Sequence, residues 1–214
     1  MHKDTLLEVP TTIPVFATLK AASIIRSWKH FSSVYDIPRF ATDWQCSSHD
    51  PLPKFIGISR VSYAGADLLY YHSAVMIAFS NGGKRGEEAE AVIYTPHGIS
   101  LRDLAPVAQA RPSIRTLALL HGLHDISLPR AQLNKGAHNG LQVQRLLNAK
   151  YWVGTHDEVK NGGGIINWFL NRKIITLAEA FELEAGKNGN NGKATNIANI
   201  FFQELGNGES LILE

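Results

Sequence analysis

Ala91-Val-Ile-Tyr-Thr-Pro-His97, Leu117-Ala-Leu-Leu-His121 and Tyr151-Trp-Val-Gly-Thr-His156 are three apolar runs that each stop at a histidine. Each run is short and apolar, and reads as a buried strand. Each histidine has a glycine within two residues, and helix-like segments separate the three. Open α/β sheets place ligands outside the carboxyl ends of their strands. Three histidines at three strand ends therefore predict one shared site on which His97, His121 and His156 converge. Imidazole is also the commonest protein metal ligand.

Composition narrows the class. The chain has 214 residues, 44% of them hydrophobic and 19% charged, which is enough for one globular domain with its own core. A net charge of +2 with no long basic run argues against a nucleic-acid-binding surface. Cys46 is the only cysteine, so no disulfide forms within the chain and a reducing, cytoplasmic setting is the simplest expectation. No apolar stretch approaches the ~20 residues that span a bilayer.

The element order is hairpin-rich first and α/β later. Thr5 to Val9, Pro14 to Thr18 and Phe31 to Ile37 read as strands, with an amphipathic helix carrying Ala21, Ile24, Ile25 and Trp28 between the last two. Phe55 to Phe79 is strand-rich, with a turn near Gly65-Ala-Asp67, and residues 80–88 form a polar hairpin loop returning through Ala89 to Tyr94. Helices are predicted from the capping-box-like Ser100-Leu-Arg-Asp103, from Asn139-Gly-Leu-Gln142, over Ile165 to Arg172, from Thr176-Leu-Ala-Glu179, and over Ile197 to Leu205. Residues 186–193 are a flexible loop by composition, and Ser210 to Leu213 is a last strand. Two packed sheets flanked by helices follow from this order.

Several side chains are candidates for chemistry. A neutral His156 can bind zinc, with the following Asp157 orienting it or acting as a base. His97, between Pro96 and Gly98, is either a ligand or a turn residue whose ring bonds a backbone carbonyl. His121, His124 and Asp125 lie in His-Gly-Leu-His-Asp, which brings two imidazoles and a carboxylate to one mouth. There Asp125 is a candidate general base or a turn residue, and His124 contacts substrate or solvent. His138 precedes the expected N-cap Asn139, where it binds substrate or merely begins the helix. His72 reads as a buried core histidine first and a ligand second; His2, His30 and His49 carry no functional reading. Asn161-Gly-Gly-Gly164 before a helix could approach a phosphate, but lacks the Lys-Ser/Thr of a nucleotide loop. No Gly-x-Ser-x-Gly elbow occurs, and Cys46 has no catalytic signature around it.

At Tyr151-Trp-Val-Gly-Thr-His-Asp-Glu158, at Val15-Phe-Ala-Thr-x-x-Ala-Ala22 and over Ala89–Gly98 with Leu117–Gly122, the chain resembles the metallo-β-lactamase superfamily, especially its lactonase-like and phospholipase-D-like branch. The resemblance implies an α/β (α+β) αββα sandwich with one or two zinc ions at one edge of the paired sheets. It implies hydrolysis of a small ester, lactone or phosphoester by metal-bound hydroxide. His156 would be the final ligand, and His97 would stand where the family has a bridging aspartate, or the site would hold one metal. The signature His-x-His-x-Asp-His occurs nowhere in these residues; the order of the other elements places it before His2. The chain therefore reads as a single domain over 1–214, incomplete at its N-terminus, carrying only part of the metal site. The first expectation is a zinc-dependent hydrolase acting on a small-molecule substrate. The second is a non-catalytic truncated scaffold for binding or interaction, prone to self-association through an exposed sheet edge. The third is an unrelated α/β enzyme, marked by phosphate binding at Asn161–Gly164.

Overall fold

The computed structural model describes residues 2–62, 72–80, 88–157, 168–187 and 201–214. Its centre is a six-stranded mixed sheet. In chain order these strands are β3 (Ile56–Val61), β4 (Ala74–Ser80), β5 (Ala89–Tyr94), β6 (Ile114–Leu120), β9 (Tyr151–Gly154) and β11 (Phe201–Glu204). They lie side by side as β11-β9-β6-β5-β4-β3. The β3-β4-β5 half is an antiparallel meander, while β5, β6, β9 and β11 run parallel. Parallel neighbours need crossovers, which α3 (Leu101–Ala108) and α4 (Ala137–Leu147) supply.

Two smaller sheets flank this one. β1 (Val15–Ala17) and β2 (Val34–Asp36) pair in parallel around helix α2 (Leu19–Ser27). β7 (Asp125–Leu128), β8 (Ala131–Asn134) and β10 (Asn171–Lys173) form an antiparallel sheet in the order β10-β7-β8. The fold is thus mixed α/β, as the sequence predicts. The αββα pairing of two comparable sheets is not what the described residues form: one large sheet carries the core, and the other two hold three and two strands.

Burial explains the central strands. Thr116, Leu117, Ala118 and Leu119 of β6 are all buried, so both faces of this strand are covered and its sequence is a continuous apolar run. Leu104 and Val107 of α3 and Val143 and Leu147 of α4 pack in one cluster with Met76, Ile93 and Leu119 of the sheet. A second cluster joins Leu123, Leu141 and Trp152 to Ala180 and Phe181 of α5 (Leu177–Lys187). Glu90 is buried on β5 and pairs with Arg115 on its neighbour.

Local caps act where the sequence places them. Ser100 Oγ accepts from the Arg102 amide at 3.2 Å and starts α3. Thr176 and Glu179 cap α5 reciprocally: Glu179 accepts from the Thr176 amide at 2.7 Å, and Thr176 Oγ1 accepts from the Glu179 amide at 3.2 Å.

Other local expectations give way to packing. Of the residues expected to form a strand at 5–9, 5–7 instead belong to a one-turn helix, α1 (Lys3–Leu7), capped by His2 and burying nothing, and 8–9 turn away from it. Phe201 to Glu204, inside an expected helix, is a strand because Phe202 lies against Trp152 at 5.4 Å and pairs with it in register. Residues 171–173, which overlap the end of the helix expected over 165–172, add to β7. Residues 210–213 have no regular structure. α4 begins at Ala137 rather than at Asn139, whose amide is used elsewhere. The turn near residues 65–67, residues 81–87 of the hairpin loop, Asn161–Gly164 and residues 188–193 lie outside the described residues. Among the described residues no helix is long and apolar enough to cross a membrane.

Gly140 tests the packing of α4. Helix propensity favours alanine at this interior position by about 1 kcal/mol. A Cβ there would lie 2.3 Å from the Trp152 ring, which is fully buried and cannot retreat. Gly140→Ala is therefore expected to destabilise the fold, by about 1–3 kcal/mol. Urea denaturation reads this, and a gain in stability would contradict the packing.

Candidate functional site

The strand order β9-β6-β5 sets three parallel strands side by side. Their carboxyl ends, Gly154, Leu120 and Tyr94, therefore share one edge, and the three histidine-bearing loops leave the sheet together. Gly122 lets them close: a Cβ on it would lie 2.7 Å from the Thr155 carbonyl oxygen and 3.0 Å from Asp157 Oδ1.

Two of the three rings meet. The imidazoles of His97 and His156 stand edge to face with centroids 4.8 Å apart, both half-buried. His156 holds a left-handed backbone with φ of 64°. A residue without glycine's freedom keeps such a conformation only where its surroundings impose it, and such residues cluster at functional sites. His97 Nδ1 donates to Asn134 Oδ1 at 2.7 Å. In the neutral ring this leaves Nε2 as the basic nitrogen.

His121 does not join them. It is fully buried, its ring edge-on to Trp152 at 5.9 Å. Nδ1 donates to the Gly122 carbonyl oxygen at 2.6 Å, while Nε2 faces Asn139 Oδ1 at 3.3 Å. Asn139 is itself fixed, accepting from the Ile99 amide and donating to the Ile99 carbonyl. Burial holds the His121 ring below the usual imidazole range and outweighs the hydrogen bonds and nearby carboxylates that raise it. This histidine is a neutral structural group that ties β6 to α4. The metal set read as His97, His121 and His156 is accordingly not assembled. Among the described residues no group of three or more His, Cys, Asp or Glu side chains is placed to hold a metal ion.

The two aspartates read as catalytic have specific places. Asp157 accepts from the Leu123 amide through both oxygens, at 2.9 and 2.7 Å, and from the His124 amide at 2.9 Å. It binds the loop after β9 to the loop after β6. His124 Nδ1 stands 3.8 Å from the same carboxylate. Asp125 Oδ1 accepts from the Gly136 amide at 2.9 Å and so closes the β7-β8 hairpin onto the start of α4.

Asp125 also faces open space, together with His138. Both line a cavity of about 950 Å³ whose apolar wall is Ile174, Ile175 and Leu183. Both also line an adjoining one of about 580 Å³ that includes Ser100 and Lys135. The sequence singled out His138 by its position before a helix; the cavity around it is built by β10 and α5, far along the chain. Asn134 and Asn139, which orient the rings of His97 and His121, were missed from sequence because nothing local marks an amide that serves a distant ring.

No family model matches the chain, and no curated protein matches it. A solved structure does: the isothiocyanate hydrolase from Delia radicum gut bacteria has a similar fold, with a TM-score of 0.56 and 14% sequence identity over 99% of this chain and 72% of that one. At that identity the likeness is one of fold. It corrects the family resemblance read from the sequence: the near full-length structural match is to an isothiocyanate hydrolase, and membership of the metallo-β-lactamase superfamily is not retained.

Two expectations follow from the loop geometry. Asp157→Asn removes a charge-assisted anchor with three amide contacts and should cost about 1–3 kcal/mol in denaturant unfolding. His121 gives a signed pH dependence. Its folded-state affinity for a proton lies below the unfolded value of 6.5. The unfolded chain therefore binds more protons below that pH, and stability present above it is lost as pH falls. Unfolding free energies at about pH 7.5 and about pH 5.5 should show this loss, and His121→Phe should flatten it.

Proposed function

We propose that this protein is a hydrolase of small electrophilic substrates in which the His97–His156 pair carries protons. The carrying observation is the edge-to-face contact of the two rings at 4.8 Å, made at the carboxyl ends of parallel strands. Nε2 of the neutral His97 ring takes a proton from water as its oxygen attacks the acyl carbon of a small ester or lactone, or the phosphorus of a phosphoester. That proton passes from the His97 imidazolium to His156, which delivers it to the leaving oxygen as the C–O or P–O bond breaks, so both rings end as they began. Likeness of fold to an isothiocyanate hydrolase adds isothiocyanates to the classes worth testing. The Asp125–His138 cavity and the neighbouring His124 are assigned to the body of the substrate.

Zinc was the cofactor expected from the sequence. A catalytic zinc takes three protein ligands, and the described residues bring two imidazoles together here. Among the described residues this set is one donor short of that number, and every step above is written with protein groups alone. The exposed Cys46 thiol suits a reducing compartment such as the cytoplasm.

A second reading is a binding scaffold without turnover. The observation favouring it is that Asp125 and Asp157 both direct oxygens at backbone amides. One comparison separates the two. Hydrolysis of a panel of chromogenic esters, lactones, phosphoesters and isothiocyanates is measured for the wild type, His97→Ala and His156→Ala. Each variant should lose about 10²–10⁴-fold in kcat/KM while its circular dichroism is retained. Equal turnover in all three would sink the paired-histidine mechanism, and no turnover in any would favour the scaffold.

A further inference from the structure

We propose that His72 is the positioning residue that holds the His97 ring against Asn134. The inference rests on the reading of His97 and His156 as the reacting groups. His72 precedes β4 and is buried. Its ring lies between two segments far apart in the chain. Nδ1 is 3.2 Å from the His97 carbonyl oxygen and 3.4 Å from that of Gly98. Nε2 is 3.0 Å from the Gln132 carbonyl oxygen. Carbonyl oxygens only accept, so the ring must donate toward whichever of them it binds.

These partners are the two ends of one contact. Gln132 stands two residues before Asn134 on β8, and Asn134 accepts from His97 Nδ1 at 2.7 Å. The Lys135 amide also donates to the His97 carbonyl oxygen, at 3.0 Å. The turn bearing His97 and the end of β8 are thus joined by one backbone bond, one side-chain bond and the His72 bridge. With a proton on each nitrogen the His72 ring bonds both the main chain of His97 and the strand that sets its tautomer; with a single proton it holds the side that proton faces. Losing the bridge frees the turn to shift against β8, and a displacement of about 1 Å at a reacting group costs up to about a hundredfold in rate.

The test has two arms. Imidazole nitrogen NMR of the wild type should show His97 with its proton on Nδ1. His72→Phe, which keeps a planar ring but no donor, should mix the His97 tautomers. It should lower kcat on the best panel substrate by roughly tenfold or more, with KM changed by less than about twofold. His72→Gln, which restores an N–H donor, should recover part of both. If the phenyl ring is not tolerated, His72→Ala is measured with and without added imidazole, which should restore the His97 tautomer. A folded His72→Phe or His72→Ala protein with the wild-type tautomer and rate would overturn the proposal. If the wild type hydrolyses nothing in the panel, the hydrolase reading fails by itself and the tautomer arm still decides whether His72 holds His97.

Discussion

The carboxylate of Asp157 is the constraint on which the site depends. Its two oxygens take three contacts from the amides of Leu123 and His124, which would otherwise be buried or half-buried donors without strand partners. A buried amide left unpaired costs more than an ordinary hydrogen bond returns. The loop after β6 is therefore bound to the loop after β9, and Gly122 is the residue small enough to permit the approach. With those loops joined, His156 is held in a left-handed backbone beside His97. The same carboxylate that reads as a catalytic base in the sequence thus does its work through main-chain amides.

The three strand-ending histidines divide by environment rather than by residue type. His121 turns inward, where burial keeps it neutral and where Gly122, Asn139 and Trp152 occupy its surroundings. Trp152 links it to the rest of the core, since the indole N–H donates to the His121 carbonyl oxygen at 3.0 Å. His97 and His156 remain half-buried and meet. The division follows from the lateral order β9-β6-β5: the middle strand's loop is covered by α4, and the loops on either side of it lean together over the top.

Much of the fold was legible because its signals are local. The apolar runs at 91–94, 117–120 and 151–154 are strands, and the middle one is buried on both faces. Ser100, and Thr176 with Glu179, cap helices because the hydrogen bonds involved span only two or three residues. The failures share the opposite cause. Phe201 and Phe202 form a strand because Tyr151 and Trp152 wait beside them, and residues 5–9 form no strand because nothing pairs with them. Asn139 was read as a cap and instead fixes Ile99 and His121, a partnership forty residues long in the first case. The superfamily resemblance failed at the same level, and the αββα pairing is not confirmed by the described residues; both add a global arrangement to motifs that are individually local.

The sequence by itself determined that this is a mixed α/β chain with three histidines at the ends of buried strands. Hydrophobic periodicity and capping are written within a few residues of where they act. Only the tertiary structure decided which histidines meet. Strand order, the cover of α4 over His121 and the reach of Asp157, Asn134 and His72 to groups 25 or more residues away are contacts between distant segments. No local pattern records them, because their geometry exists only once the sheet has formed.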